Sequence, residues 1–169
     1  MSLFIPDLMC DTVYDIPQDY YTENRVKYIF LDIDNTLVSY GTPKPTKENL
    51  EWLNKLRSLD ITVIFMSNNH YDRVTEYTKG LGLWCVPDVG KPSVKAYKEI
   101  IHDFGIDKKH ALAVGDQIFT DVFSAKRLGI KAVMVKPVEP VENLFFKFTR
   151  LLEKPFVFSY KQKMKREVR

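Results

Sequence analysis

Cysteine is scarce: Cys10 and Cys85 are the only two in 169 residues, far apart and in no C-x-x-C spacing. Neither a disulfide framework nor a zinc ribbon can be assembled from them, and a reducing, cytosolic compartment is expected. No uninterrupted apolar stretch approaches the ~20 residues that a membrane-spanning helix needs. The opening residues carry no basic region, and Pro6 stops their apolar run, so no secretory signal is read there. Charge of one sign is also lacking, since 25 basic side chains face 22 acidic ones for a net +3. That balance is too mild to indicate nucleic acid, and no nucleic-acid partner is expected. Repeats and low-complexity tracts are absent. What is present is 45% apolar residues and 13% aromatics, enough at this length to bury roughly 70% of the extended chain's surface in one core.

Three regions follow from the patterning. Residues 1–25 mix Pro6 and Pro17 with Asp7, Asp11, Asp15 and Asp19, and are read as an irregular arm packed on the core with a solvated acidic edge. Residues 26–153 form the domain proper. Val26, Tyr28, Ile29, Phe30 and Leu31 make a near-continuous apolar run of strand length, as in a parallel strand buried on both faces. Thr46 then caps a helix with Leu50, Leu53, Leu56 and Leu59 on one face. Further buried strands are read at residues 61–66, 83–86, 111–114 and 131–135, separated by helices that Gly80, Gly105 and Gly129 terminate. Such alternation describes an α/β fold, a Rossmann-like doubly wound parallel sheet of about five strands. Residues 154–169 form a basic tail.

In open parallel sheets, functional groups gather beyond the carboxyl ends of the strands. Here the first strand ends in Asp32-Ile33-Asp34-Asn35-Thr36-Leu37, the second in Ser67-Asn68, and the fourth in Gly115-Asp116 with Asp121 following, while Lys91 precedes a helix. A single acid at a strand end is commonly a turn or cap residue; a set in register on one rim is not. Alternation along an extended segment turns Asp32 and Asp34 to the same side, roughly 7 Å apart. Such a pair suits two-step phosphoryl transfer, with Asp32 as nucleophile and Asp34 as acid and base. Carboxylate and phosphate repel by about 4 kcal/mol per charge pair at 4 Å and an effective dielectric of 20. Lys91 alone does not offset the acids, so a hard cation is expected, with Mg²⁺ favoured by oxygen ligands from Asp32, Asp116 and the backbone carbonyl of Asp34. Asp121 would sit near the metal or hold its water. Ser67 and Asn68 are read as phosphate binders, and Lys91 as the cation that orients Asp32. His70, His102 and His110 are read as solvated or packing side chains.

In order and placement, these residues resemble the four motifs of the haloacid dehalogenase (HAD) superfamily: Asp32 to Leu37, Ser67, Lys91, and Gly115-Asp116 with Asp121. The short chain, Pro6-Asp7 and Val13-Tyr14-Asp15-Ile16 look most like the YqeG family of subfamily IIIA, which is similar to mitochondrial phosphatidylglycerophosphate phosphatases. One departure is Val89-Gly90 before Lys91, where relatives often carry alanine two residues ahead of the lysine. The resemblance implies Mg²⁺-dependent phosphomonoester hydrolysis by a phosphatase, with phosphatidylglycerophosphate as the leading substrate. Small soluble or protein phosphoesters stand behind it. The 32 residues between Asp34 and Ser67 and the 22 between Asn68 and Lys91 leave no room for a cap domain, unless an oligomer supplies a lid. From other classes, a phosphoacceptor switch and an RNA- or membrane-binding scaffold are the alternatives.

At the carboxyl end, Leu144, Phe145, Phe148, Leu151 and Leu152 define one apolar helix face expected to pack on the sheet. Beyond it, Phe156, Phe158 and Tyr160 interleave with Lys154, Lys161, Lys163, Lys165, Arg166 and Arg169. That composition suits a solvated tail or peripheral contact with an anionic phospholipid surface.

Overall fold

The computed structural model describes residues 2–140 and 143–167, so Arg169 lies outside the described residues. The strands are β1 (Leu8–Cys10), β2 (Tyr28–Leu31), β3 (Thr62–Met66), β4 (Trp84–Val86), β5 (Ala111–Gly115) and β6 (Lys131–Val135). The helices are α1 (Gln18–Glu23), α2 (Lys47–Ser58), α3 (Tyr71–Thr78), α4 (Lys95–Asp103), α5 (Phe123–Arg127) and α6 (Leu144–Glu167). All six strands pair in parallel in the order β1-β6-β5-β2-β3-β4. The doubly wound parallel sheet is therefore present, with one strand more than the five expected.

Side-chain alternation divides the core into two layers. Ile29, Leu31, Val63, Phe65, Leu112 and Val114 face α2, α3 and the amino-terminal arm. Phe30, Ile64, Met66, Ala113 and Ala132 face Tyr97 of α4 and Val122 and Ala125 beside and within α5. A strand apolar on both faces must be covered twice, and the helices divide accordingly. Thr46 caps α2 as expected, accepting the Asn49 N–H at 3.1 Å. The buried face of α2, however, is Asn49, Trp52, Leu53 and Leu56, while Leu50 is exposed. Asn49 takes the inward position in place of Leu50 because its amide has partners there, the Leu37 carbonyl at 3.2 Å and the half-buried Tyr14 hydroxyl at 2.6 Å.

The arm is more ordered than its composition suggested. Leu8–Cys10 adds an edge strand to β6, and Val13, Ile16 and Tyr21 enter the core. Asp7 does not belong to a solvated edge: its carboxylate accepts the Ala132 N–H at 2.8 Å and pairs with Lys126 through both oxygens at 2.8 and 2.9 Å. Pairing with residues more than a hundred positions away leaves no local signature.

At the carboxyl end, the boundary drawn at residue 154 falls inside α6, which runs on through Pro155. Its orientation corrects the expected packing. Leu144, Phe145, Phe148, Leu151 and Leu152 are exposed. The inner face consists of half-buried Phe146, Arg150, Phe156 and Val157 with buried Glu153 and Tyr160. Polar anchors decide this: Glu153 accepts the Ile118 N–H at 2.7 Å, and the Tyr160 hydroxyl accepts the Met9 N–H at 3.1 Å. Phe156 adds an aromatic contact to Phe4, which stacks on Phe123.

The clasp at Asp7 gives a direct expectation. Asp7→Ala orphans Lys126 and the Ala132 N–H, and urea titration should show a loss of about 1–3 kcal/mol; an unchanged midpoint would mean the clasp contributes nothing.

Candidate active site

The carboxyl ends of β2, β3 and β5 meet at a cavity of about 520 Å³ whose walls include Asp32, Asp34, Ser67, Asn68, Lys91 and Asp121. Backbone geometry sets each of these groups. After β2 the chain turns at Asn35, whose φ of 65° is a left-handed conformation that asparagine tolerates better than most residues. Its amide locks the turn, donating to the Glu139 carbonyl at 3.0 Å and accepting the Glu139 N–H at 2.8 Å. After β5 the chain passes through a widened π-type turn, Ile118–Val122, that carries Asp121. Gly115 makes this possible, because a Cβ there would collide with the Asp121 side chain.

Lys91 is the hub. Its ammonium, 2% exposed, donates to Asp32 Oδ1 at 2.6 Å and to Asp121 Oδ1 at 2.7 Å. The other Asp32 oxygen accepts from the Thr36 hydroxyl at 2.9 Å. One oxygen each of Asp32, Asp116 and Asp121 lies within 4.8 Å of the others. Among the described residues this is the group of carboxylates that could hold a metal ion, and Asp121 belongs to it in full. The carboxylate of Asp34 is directed elsewhere, to Arg73 at 2.8 Å and the Asn69 amide at 3.1 Å. Any metal contact from Asp34 would be through its backbone carbonyl.

Asn68 accepts the Lys91 N–H at 2.6 Å and donates to the Lys91 carbonyl at 3.1 Å, so its amide chiefly ties down the lysine's loop. Ser67 is buried, and its hydroxyl accepts the Asn69 N–H at 3.0 Å. His70 pairs with Asp88 on the surface and does not line the cavity.

Sequence comparison places this geometry among known proteins. A profile for haloacid dehalogenase-like hydrolases matches residues 29–90, and a HAD-hydrolase-like profile matches residues 88–137. The probable phosphatase YqeG of Bacillus subtilis (strain 168) is 30% identical over 162 residues, 96% of this chain and 94% of that one. The chain belongs to the YqeG family of HAD-like hydrolases. A more distant relative, the phospholysine phosphohistidine inorganic pyrophosphate phosphatase of Bos taurus, is 25% identical over 69% of this chain and 38% of its own. In fold, the chain is similar to a HAD family enzyme from Bacteroides thetaiotaomicron crystallised with magnesium and inorganic phosphate. That likeness has a TM-score of 0.56 at 16% identity, over 71% of this chain and 99% of the other. A predicted HAD-like family hydrolase from Porphyromonas gingivalis gives 0.55 at 15% identity, over 75% and 98%.

Within this HAD-like site, three groups escaped the sequence reading. Arg73 bonds to Asp34, and Asn69 holds the other oxygen of that carboxylate. Arg150, from the inner face of α6, reaches both the carboxylate and the backbone carbonyl of Asp116 and pairs with Glu153 at 3.0 Å. Both arginines lie far from the motifs they serve, and nothing in the local sequence marks them. Tyr40, Phe119, Phe145 and Phe146 add an aromatic rim to the cavity.

Burial pushes the Asp32 carboxyl up to about 6, with Lys91 opposing the rise and Asp121 adding to it. Burial likewise lifts Asp116 to about 7 against the pull of Arg150, with Asp121 and Asp32 reinforcing the rise. Lys91 goes well above its ordinary value, because Asp121 and Asp32 outweigh the burial that would lower it. Both carboxyls are raised by folding, so the folded state holds protons that the unfolded chain has released. Their contribution is therefore lost as pH rises from near the ordinary 3.8 toward 6 and 7.

Two measurements follow. Between pH 4 and 7, metal-free wild type should lose more thermal stability than Asp116→Asn, and Mg²⁺ should raise the melting temperature more above pH 7 than near pH 5; parallel pH curves for the two proteins would contradict this. Gly115→Ala should displace Asp121 and cost about 1–3 kcal/mol, with weaker Mg²⁺ binding in calorimetry; undiminished affinity would show that the close approach is dispensable.

Proposed function

We propose that the protein is a Mg²⁺-dependent phosphomonoester hydrolase working through an aspartyl-phosphate intermediate. The observation that carries this reading is the environment of Asp32. One oxygen is held by a buried lysine and the other by Thr36, two further carboxylates lie within 4.8 Å, and Asp34 sits two residues on, facing the same cavity.

The donor set fits a hard cation, since all the clustered ligands are carboxylate oxygens and Mg²⁺ binds such oxygens at about 2.1 Å. Asp32, Asp116 and Asp121 would hold it with the Asp34 carbonyl. When bound, it neutralises charge between the carboxylates and an incoming phosphate. Asp32 attacks phosphorus, the P–O bond to the alcohol breaks, and Asp34 delivers a proton to the departing oxygen. Asp34, as carboxylate, then takes a proton from water, whose oxygen attacks the phosphorus and releases phosphate from Asp32. Lys91 keeps the nucleophile aimed and spreads charge in the transition state. Ser67 supplies a hydroxyl to phosphoryl oxygens. Arg73 and Asn69 each donate to one oxygen of Asp34 and so fix its orientation toward the cavity.

The site carries no inserted cap, which admits a bulky leaving group, and the aromatic rim offers it apolar contact. Phosphatidylglycerophosphate is the substrate we propose on resemblance to the mitochondrial enzymes that hydrolyse it. A panel of phosphomonoesters, including this lipid, p-nitrophenyl phosphate and small sugar phosphates, tests the assignment.

Asp32→Asn should abolish turnover while the circular dichroism spectrum and melting profile stay folded; retained hydrolysis sinks the nucleophile. Asp34→Asn should lose about 10²–10⁴-fold on alkyl esters and much less on aryl esters with good leaving groups. A uniform loss across that series argues against proton transfer by Asp34. EDTA should silence the wild-type enzyme, and Mg²⁺ should restore it.

A further inference from the structure

Among the described residues, the outer face of α6 carries a largely apolar stripe that no other element covers. Leu144 is 81% exposed, Phe145 66%, Phe148 58%, Leu151 54% and Phe158 62%, with Leu152 beside them. These residues fall on one stripe of a 24-residue helix. Lys147, Lys154 and Lys161 run along one flank at seven-residue spacing, and Lys165 lies a turn further. Among the described side chains of α6, Glu153 is the one acid, and it is buried against Ile118. Apart from the small polar Ser159 and Gln162, the outer face therefore presents apolar groups and positive charge, with no exposed acid among its described side chains.

The helix is already docked through its other side by Glu153, Phe156 and Tyr160. Turning the stripe inward would break all three anchors. An antiparallel second copy of this face would set lysine row against lysine row, a like-charge juxtaposition that opposes that pairing. No helix among the described residues is long and apolar enough to cross a membrane. An apolar stripe bordered by lysines, on a helix that does not span, matches an element lying in the plane of a bilayer interface. Phe145 belongs both to this stripe and to the wall of the catalytic cavity.

We infer that α6 seats the protein on an anionic membrane surface, its apolar stripe in the headgroup region and its lysine row against lipid phosphates, with the catalytic cavity opening beside the contact. This names a partner for the site proposed above and rests on that reading only for what the site does once seated.

Three full-length proteins test it: wild type, a Phe148→Ser/Leu151→Ser/Phe158→Ser variant, and a Lys147→Glu/Lys154→Glu/Lys161→Glu variant. None of these six side chains belongs to the catalytic cavity. Co-sedimentation is measured with phosphatidylcholine vesicles, with and without phosphatidylglycerol, at low and high salt. Wild type should bind the anionic vesicles in a salt-sensitive way, and each variant should bind about tenfold more weakly or worse. Hydrolysis of p-nitrophenyl phosphate should be equal in all three, and light scattering should report one oligomeric state. Wild type that ignores anionic vesicles at low salt, variants that bind as well as wild type, or a wild-type dimer that the serine variant converts to monomer each overturn the proposal. Asp32→Asn separates the two readings, because it should bind vesicles like wild type whether or not the phosphatase assignment stands.

Discussion

The site depends on placing like charges together at the mouth of a parallel sheet. Asp32, Asp34, Asp116 and Asp121 are all largely buried, and carboxylates at these separations repel by several kcal/mol each in a partly dry environment. Folding is compatible with this crowding because cations are delivered from separate parts of the chain. Lys91 is shared by Asp32 and Asp121, Arg73 serves Asp34, and Arg150 serves Asp116. Burial, reinforced by the neighbouring carboxylates, raises the affinity of Asp32 and Asp116 for protons.

That requirement explains local features that otherwise look unrelated. The left-handed Asn35 turns the chain directly after the Asp32 to Asp34 segment, and the widened turn with the bare Cα of Gly115 lets Asp121 approach the end of β5. It also bears on α6. A helix that must deliver Arg150 and Glu153 to the sheet edge has its inner face prescribed by charge, and its most apolar stripe is left outward as a consequence.

Much of the fold was legible in the residues. Strands apolar on both faces announce themselves as continuous runs, as do Ile29 to Leu31, Val63 to Met66 and Leu112 to Val114, which are buried in the sheet. The Thr46 cap and the glycine stops carry their own local chemistry. Less legible were Leu8–Cys10, too short for periodicity and held by pairing with β6, and the face of α6, where hydrophobic pattern and polar anchoring point in opposite directions.

For the site, the strand-end carboxylates, Ser67 and Lys91 were visible because parallel-sheet topology places strand ends on one rim, so position along the chain is enough to gather them. By itself the sequence determined the α/β class, the rim and the chemical identity of the groups on it. Tertiary structure alone decided which oxygen meets which cation, that Asp121 rather than the Asp34 carboxylate joins Asp32 and Asp116, and that two distant arginines complete the charge balance. Periodicity reports burial along one element, whereas ion pairing depends on distances between elements, and only the packed chain sets those distances.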